Sequence, residues 1–405
     1  MSRSIRTSAA FAALALLLSS CANQDSEGGA TSAAPEAGEL PVQTSIDVPS
    51  DALKAAGDGK AKCAADTTIA YIGAMTGDNA QLGINIYNGA QLAINEHNKA
   101  NPDCQVKFKK VDTEGDANKS TGPVTQVTKE KNVVGVVGLP FSGESKATGS
   151  IFEQAGLVHI TPAATGPALS QNGWKTFFRG LGNDNVQGPG VADLATKLKV
   201  KKVFLIQDDS EYGTGLFQTA KKAMGADKVA GEDKVVQKQK DFSATIDKIL
   251  KSKADAVFYS GYFADAAPLN QQLVGKGFKG TFIGPDGVKD DQYIKLSGDS
   301  SKNTYFTCPC IPGELIKDFS TAYKGVSDGK EPGTYSVEGY DATAIMLSGI
   351  DKGKATRPGL LDYVTKYEGQ GLSKKYKWDD KGELAELPVF GYRVKDGKIV
   401  SVGEL

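Results

Sequence analysis

"VVGVVGLPFSGESKATGSIFEQAGLVHITPAAT", residues 133–165, decides the fold. The valine-rich run at 133–138 reads as a strand buried on both faces, and "LVHIT" at 157–161 reads as a second. Between them "SKATGSIFEQAG" has helical character. Strand, helix and strand in about 30 residues make a right-handed crossover unit with two parallel strands. Both strands run into small and hydroxylated residues, "GLPFSGES" at 138–145 and "TPAAT" at 161–165. At the carboxyl end of a strand such residues let backbone N–H groups approach a ligand, and a following helix N-terminus favours a negative group.

Outward from this stretch the alternation continues. "TIAYIGAM" at 68–75 is a short apolar run, and "IYNGAQLAINEHNK" puts Ile86, Ala90, Ala93 and Ile94 on one helical face. "QVKFKKVD" at 105–112 alternates as a strand, and "GPVTQVTKEK" at 122–131 is helical. After Arg179 a second series begins, with strands in "KVFLIQ", "KVAGEDKVV", "ADAVFYSG" and "GTFIGP" separated by helical segments. The expected architecture is α/β, with two doubly wound parallel-sheet lobes and a ligand cleft between them. A length of 405 residues accommodates two lobes. The tail departs from the alternation. Helices around 334–351 and 357–368 precede "KYKWDD" and "LPVFGYRVKDGKIVSVGEL", whose Asp396-Gly397 is a hairpin signal.

The N-terminus reads as an export signal over residues 1–20. Arg3 and Arg6 precede an apolar run from Phe11 to Leu18 that is too short to span a bilayer. It ends in Leu18-Ser19-Ser20-Cys21, which resembles the bacterial lipobox, making Cys21 the expected lipidation site. Residues 21–62 are therefore the lipidated cysteine and a tether, rich in Ala, Gly, Ser, Pro and acids and expected to be disordered. A flexible coil of about 40 residues reaches roughly 35 Å. Attachment to the membrane is expected through this anchor alone. Lys and Arg number 47 against 48 Asp and Glu, which gives no electrostatic reason to bind nucleic acid.

Export makes disulfides reasonable for Cys63, Cys104, Cys308 and Cys310. Cys63 and Cys104 each precede an apparent strand, and adjacent parallel strands start side by side, so this pair is favoured, leaving Cys308-Pro309-Cys310 as a tight loop. A CxC without nearby histidines is a poor zinc site, and no metal or cofactor is expected.

Catalytic patterns fail one by one. "GESKA" at 143–147 has the outline of a nucleophile elbow, but His159 follows too soon to complete its triad. His97, among polar residues at a helix end, reads as a solvated surface histidine, and His159, on an apolar strand, as a hydrogen-bonded core residue. "GTGLFQ" at 213–218 has Gln218 where a dinucleotide fingerprint needs its third glycine, and Asp208, Asp209 and Glu211 would repel a pyrophosphate. No enzyme is expected.

The motifs "IGAMTGDNAQLG", "GAQLAINE", "ITPAAT", "QGP" at 187–189, "YGTG", "KDFS" at 240–243, "SGY" and "GPDGV" follow one another in an order that, from about Thr67 onward, resembles the leucine/isoleucine/valine-binding proteins of bacterial ABC transporters. That family has the type I periplasmic binding fold, with three crossings between lobes. The resemblance implies crossings near Leu181, Ile311 and Leu384, a first lobe of residues 63–182 plus 312–384, and a second of 183–311 plus 385–405.

The same resemblance implies that Ser142, the backbone of Ala163, and Thr165 hold an amino acid's α-carboxylate, with Ala163 and Thr165 also offering acceptors to its ammonium. Asp286 stands where the family has a glutamate pairing with the ammonium, and Tyr212 and Tyr262 stand where aromatic residues close the pocket. Leu82 replaces a tyrosine of the leucine-type receptors, and the family's usual first-lobe disulfide is missing. A zwitterion needs this division of donors and carboxylate. Each residue also has a structural reading: Ser142 and Thr165 as helix caps, the tyrosines as surface packing, and Asp286 as a turn residue.

The function expected is that of an extracytoplasmic, lipid-anchored receptor, monomeric, that captures a branched-chain or other aliphatic amino acid and delivers it to an ABC transporter permease. A receptor of the same fold for an amide, urea or short carboxylic acid, a sensory receptor, and a lipoprotein enzyme are the alternatives.

Overall fold

The computed structural model describes residues 39–385 and 387–405. The expected signal peptide, Cys21 and the first part of the tether lie outside the described residues. The first series runs β1 (Thr68–Gly73), α1 (Ala80–Ala100), β2 (Lys107–Asp112), α2 (Ala117–Lys129), β3 (Val133–Gly138), α3 (Ser142–Ala155), β4 (Val158–Thr161) and β5 (Phe177–Arg179). Its sheet has the order β2-β1-β3-β4-β5, with every pair parallel. Strands β1, β3 and β4 are buried throughout, as continuous apolar runs require, whereas edge strand β2 is exposed or half-buried along its length and carries three lysines.

The second series runs α4 (Asp184–Lys197), β6 (Val203–Gln207), α5 (Glu211–Met224), β7 (Val229–Lys234), α6 (Ser243–Ser252), β8 (Ala256–Ser260), α7 (Phe263–Gly275), β9 (Thr281–Gly284), α8 (Asp291–Ser297) and β10 (Thr304–Cys308). After it come α9 (Lys317–Lys324), α10 (Ser336–Asp351), α11 (Arg357–Thr365), the small ribbon β11 (Glu368–Gln370) and β12 (Lys375–Lys377), and then β13 (Phe390–Lys395) and β14 (Lys398–Glu404). The second sheet has the order β14-β13-β10-β9-β8-β6-β7. The hairpin β13-β14 joins it antiparallel through β10, turning at Asp396 and Gly397, both with positive φ.

Helix α10 returns to the first sheet and lies along α1. The contact is close because it is made at glycine: a Cβ on Gly89 would stand 1.9 Å from the Ser336 carbonyl oxygen, and one on Gly339 would stand 2.6 Å from that of Ile86. The chain passes between the sheets after β5, after β10 and before β13. These three segments are neighbours, since the Cβ position of Gly182 is 3.3 Å from Pro309 Cβ and 3.7 Å from Leu387 Cβ.

Cys63 is bonded to Cys104, just ahead of the paired starts Thr68 and Lys107. Cys308 and Cys310, the other two disulfide candidates, are bonded to each other and close the tight loop expected at Cys308-Pro309-Cys310.

Residues 39–62 correct the expected disordered tether. Arg393 Nη2 donates to Glu39 Oε2 at 3.0 Å, Gln43 N to Ser401 O at 2.8 Å, Leu53 N to Gln370 O at 2.7 Å, and Ala61 N to Asn101 Oδ1 at 3.1 Å. Leu40, Ile46 and Leu53 pack against the core, and Ala55 and Ala61 are buried in it. The segment carries no helical or strand period, so its order comes from partners elsewhere in the chain. It runs from the edge of the second sheet to the helices of the first.

Of the two histidines, His97 differs from expectation and His159 is the core residue expected. His97 is fully buried, and its Nε2 lies 2.8 Å from Asp351 Oδ1. Burial pulls its pKa down, but the Asp351 carboxylate more than offsets this and leaves it raised. His159 is buried between Phe152 and Phe177, with centroids at 4.3 and 5.5 Å, beside the Thr176 backbone. Burial lowers its pKa to about 3. The folded state holds it neutral while the unfolded chain protonates it below about pH 6.5, so its contribution is intact above that pH and is lost as pH falls toward 3. The expected result is that His159→Phe flattens the acid limb of unfolding free energy by about 1.4 kcal/mol per pH unit between pH 6 and 4, measured by urea titration against the parent.

Candidate functional site

Every residue singled out for binding lies at the carboxyl end of a parallel strand. Leu82 is in the first turn of α1 after β1, Ser142 opens α3 after β3, and Ala163 and Thr165 follow β4. Tyr212 is in the first turn of α5 after β6, Tyr262 immediately precedes α7 after β8, and Asp286 follows β9. All seven are buried.

The structure brings Tyr212, Tyr262 and Asp286 together. Asp286 Oδ1 accepts hydrogen bonds from Tyr212 Oη and from Gln187 Nε2, the latter at 2.8 Å, and its Oδ2 accepts one from Tyr335 Oη at 2.6 Å. Burial raises the Asp286 pKa, and these three donors work against that by favouring the anion. Tyr212 and Tyr335 are driven well above the usual phenol value, chiefly by burial and then by Asp286, so they remain donors. The Tyr212 and Tyr262 rings lie 5.1 Å apart, and Phe141 from the first sheet sets its edge on Tyr262 at 5.0 Å. A methyl group on Gly287 would fall within 2.7 Å of the Gly261 carbonyl oxygen and 2.9 Å of the Tyr212 ring, so only glycine lets the Asp286 turn approach these aromatics.

On the facing side, Ser142 Oγ accepts the Gly166 N–H at 3.0 Å and so ties the loop after β3 to the loop after β4. This replaces the capping role open to it from sequence. The Ala163 N–H points toward Thr161 Oγ1 at 3.4 Å, a long contact. Thr165 is buried against Asp184: its hydroxyl lies beside the Asp184 carboxylate, and its carbonyl accepts the Asp184 N–H at 3.0 Å. Leu82 makes no side-chain hydrogen bond, as its chemistry dictates, and contributes apolar surface.

Four residues that the sequence did not single out complete the cluster. Gln187 lies inside the quoted "QGP" and was the most accessible of them. Tyr335 adopts a left-handed conformation at φ 67, which no pattern announces and which aims its ring from the α10 side at Asp286. Asp184, at the start of α4, is fully buried; burial raises its pKa, and the Thr165 hydroxyl beside it works the other way. Arg179, at the end of β5, is fully buried, donates to the Ala164 carbonyl and, at 3.0 Å, to that of Gly166, and pairs with Glu383 at 2.9 Å. It thereby fixes the loop that carries Ala163 and Thr165. A signal existed, because arginine occurs only five times in the chain.

The rims on the two sides touch. Ala264 N donates to Asn79 Oδ1 at 3.3 Å, Lys146 pairs with Glu211 at 2.9 Å, and Asn85 Nδ2 donates to Asp290 Oδ2 at 3.2 Å. A separate cavity of about 700 Å³, lined by residues including Asn85, Lys289, Glu314, Thr334 and Lys398, contains none of the seven residues.

Residues 66–398 match the family described as periplasmic binding protein. The chain is 28% identical over 348 residues to Leu/Ile/Val-binding protein homolog 3 of Brucella melitensis, covering 84% of this chain and 94% of that one. It is 29% identical over 341 residues to the leucine-, isoleucine-, valine-, threonine-, and alanine-binding protein of Pseudomonas aeruginosa, covering 82% and 91%. The crystal structure of a leucine-binding protein from Thermotoga maritima superposes with a TM-score of 0.74 at 25% identity, covering 84% and 98%.

Proposed function

The chain belongs to the periplasmic binding protein family, and on that premise we propose that it is an extracytoplasmic receptor, lipid-anchored through Cys21, that captures an aliphatic α-amino acid between two lobes and delivers it to an ABC transporter permease. The observation that carries this reading is Asp286: a buried carboxylate held by Gln187, Tyr212 and Tyr335, all neutral donors, with no lysine or arginine in contact. A buried anion without a cation is expensive unless a ligand brings the charge. An ammonium does so. Ser142, Ala163 and Thr165 then face the α-carboxylate, and Leu82, Phe141 and Tyr262 supply apolar surface for the side chain. The named amino acid ligands of the Brucella and Pseudomonas relatives support the same class.

In this reading residues 63–182 with 312–384 form one lobe and residues 183–311 with 385–405 the other, hinged where the segments at Gly182, Pro309 and Leu387 run together. Asp286 and Tyr212 come from the second lobe, while Ser142, Thr165 and Tyr335 come from the first. A ligand touching both sets stabilises the closed arrangement over the open one by the difference in its contacts, and the permease distinguishes the two. No bond of the ligand is made or broken. Calorimetric titration of the mature protein with leucine, isoleucine, valine and alanine tests the proposal. One-site binding with the ligand recovered unchanged is expected; absence of binding by all four, or chemical conversion, overturns it.

A further inference from the structure

We propose that the peptide joining Cys310 to Ile311 is the pivot on which the two lobes turn, and that Glu338 and Lys374 are the positioning residues that hold it. The proposal rests on the two-lobe closure described above, whatever ligand drives it. The chain leaves the second sheet after β10 through Cys308-Pro309-Cys310. The carbonyl of the Cys310–Ile311 peptide accepts the Tyr392 hydroxyl at 2.7 Å, and Tyr392 lies on β13 of the second sheet. The N–H of the same peptide donates to Glu338 Oε1 at 3.0 Å, and Glu338 lies in the first turn of α10, which packs along α1 beside the first sheet. Both bonds are buried. When one rigid body rotates against another, only points on the axis stay in place relative to both. A peptide group bonded to both bodies keeps its two bonds through the motion only if it lies on that axis, and the torsions beside it then absorb the closure.

Each grip is itself fixed. The Cys308–Cys310 disulfide ties the carbonyl side back to β10. On the other side Lys374 Nζ donates to the same Glu338 Oε1 at 2.9 Å, in an ion pair that is almost wholly buried, and at 3.3 Å to the carbonyl of Gly180, just after β5, where the chain first passes between the sheets. Asp341, one turn further along α10, accepts the N–H groups of Leu372 and Ser373 at 2.8 Å and holds the loop that carries Lys374. The ion pair thus reaches two of the three passages. Tyr335 immediately precedes α10, so the helix end that grips the pivot also delivers a hydroxyl to Asp286 across the cleft. A buried ion pair adds little stability over apolar residues of similar volume, which makes stability alone a weak account of Glu338 and Lys374.

The competing reading is a static joint that only holds the sheets together. Two double variants separate the readings: Glu338→Gln with Lys374→Met, and Glu338→Met with Lys374→Met. Both remove the ion pair whole, so neither of its charges is left buried alone. Only the first keeps an oxygen for the Ile311 N–H. If the peptide is the pivot, the second variant lets the lobes slide as well as turn. By small-angle X-ray scattering its unliganded radius of gyration exceeds that of the first, and the difference disappears in saturating leucine. Its leucine affinity is about tenfold lower, the equivalent of one residue's backbone freedom removed again on closing. A static joint predicts a lower melting temperature for the second variant with radius and affinity equal to those of the first, which overturns the proposal. A radius that stays larger in leucine also overturns it, because the closed arrangement itself would have changed. Hydrogen exchange of the unaltered protein needs no variant. The Ile311 amide should be equally protected with and without leucine, while the Ala264 amide, bonded across the rim to Asn79, gains protection when leucine closes the cleft. An Ile311 amide that exchanges faster without ligand shows the grip released on opening and overturns the proposal. The scattering comparison of unliganded variants still decides the pivot if leucine does not bind, and that failure removes the amino acid reading alone.

Discussion

Asp286→Ala lowers affinity for the amino acid at least a hundredfold, and the protein remains folded. The carboxylate is fully buried, and Gln187, Tyr212 and Tyr335 converge on it. Removing one partner of a desolvated charge pair costs about 2–5 kcal/mol, because the other charge is left unpaired in the closed cleft. A hundredfold change is about 2.7 kcal/mol. The fold is spared because Asp286 sits in a turn after β9, and without ligand the cleft can open to let water reach the three released donors. Calorimetric titration together with a melting curve checks both halves. Full affinity in the variant would show that the ammonium lies elsewhere.

Arg179→Met has the largest expected effect on stability, a loss of about 3 kcal/mol measured by urea unfolding. The guanidinium is completely buried and pairs through both Nε and Nη2 with Glu383, which is itself only slightly exposed. Methionine matches the stem but leaves Glu383 uncompensated, a loss of the kind that costs about 3–5 kcal/mol on breaking a buried pair. Two loop carbonyls, of Ala164 and Gly166, lose their donors at the same time. Affinity should also fall, since that loop presents Ala163 and Thr165. A variant as stable as the parent would show that the loop is held by its own geometry.

What the sequence made legible follows from where information is local. The run Val133–Gly138, the helical segment after it and Val158–Thr161 each declare their state within a dozen residues, and strand-then-helix alternation implies parallel pairing without knowledge of contacts. The positions of the candidate residues were legible to the same depth, because they follow strands and ligand residues in open α/β sheets collect where strands end. Asp286, Tyr212 and Tyr262 could therefore be placed together at strand ends, where they do cluster.

Other features depend on distant partners. Tyr335 reaches Asp286 from 49 positions along the chain through a left-handed backbone conformation. The order of residues 39–62 depends on Arg393, Gln370 and Asn101, and its own composition is that of a tether. His97 misled for a similar reason: its sequence neighbours are polar, but Asp351 covers it from 254 positions away. Asp184 and Arg179 are charged residues that ordinary expectation places on the surface. Only their burial brings them into the candidate cluster.

The central claim is that the cleft recognises both charges of an α-amino acid. The most direct test is thermal unfolding of the mature protein with leucine, with 4-methylpentanoate, which lacks the ammonium, and with 3-methylbutylamine, which lacks the carboxylate. All three carry the same side chain. At 100 times its dissociation constant a ligand stabilises by about 2.7 kcal/mol, a readily resolved shift. Leucine alone should produce it, with neither truncated compound doing so at the same concentration. An equal shift with 4-methylpentanoate would contradict the account, because a ligand without an ammonium would then suffice beside the buried Asp286 carboxylate.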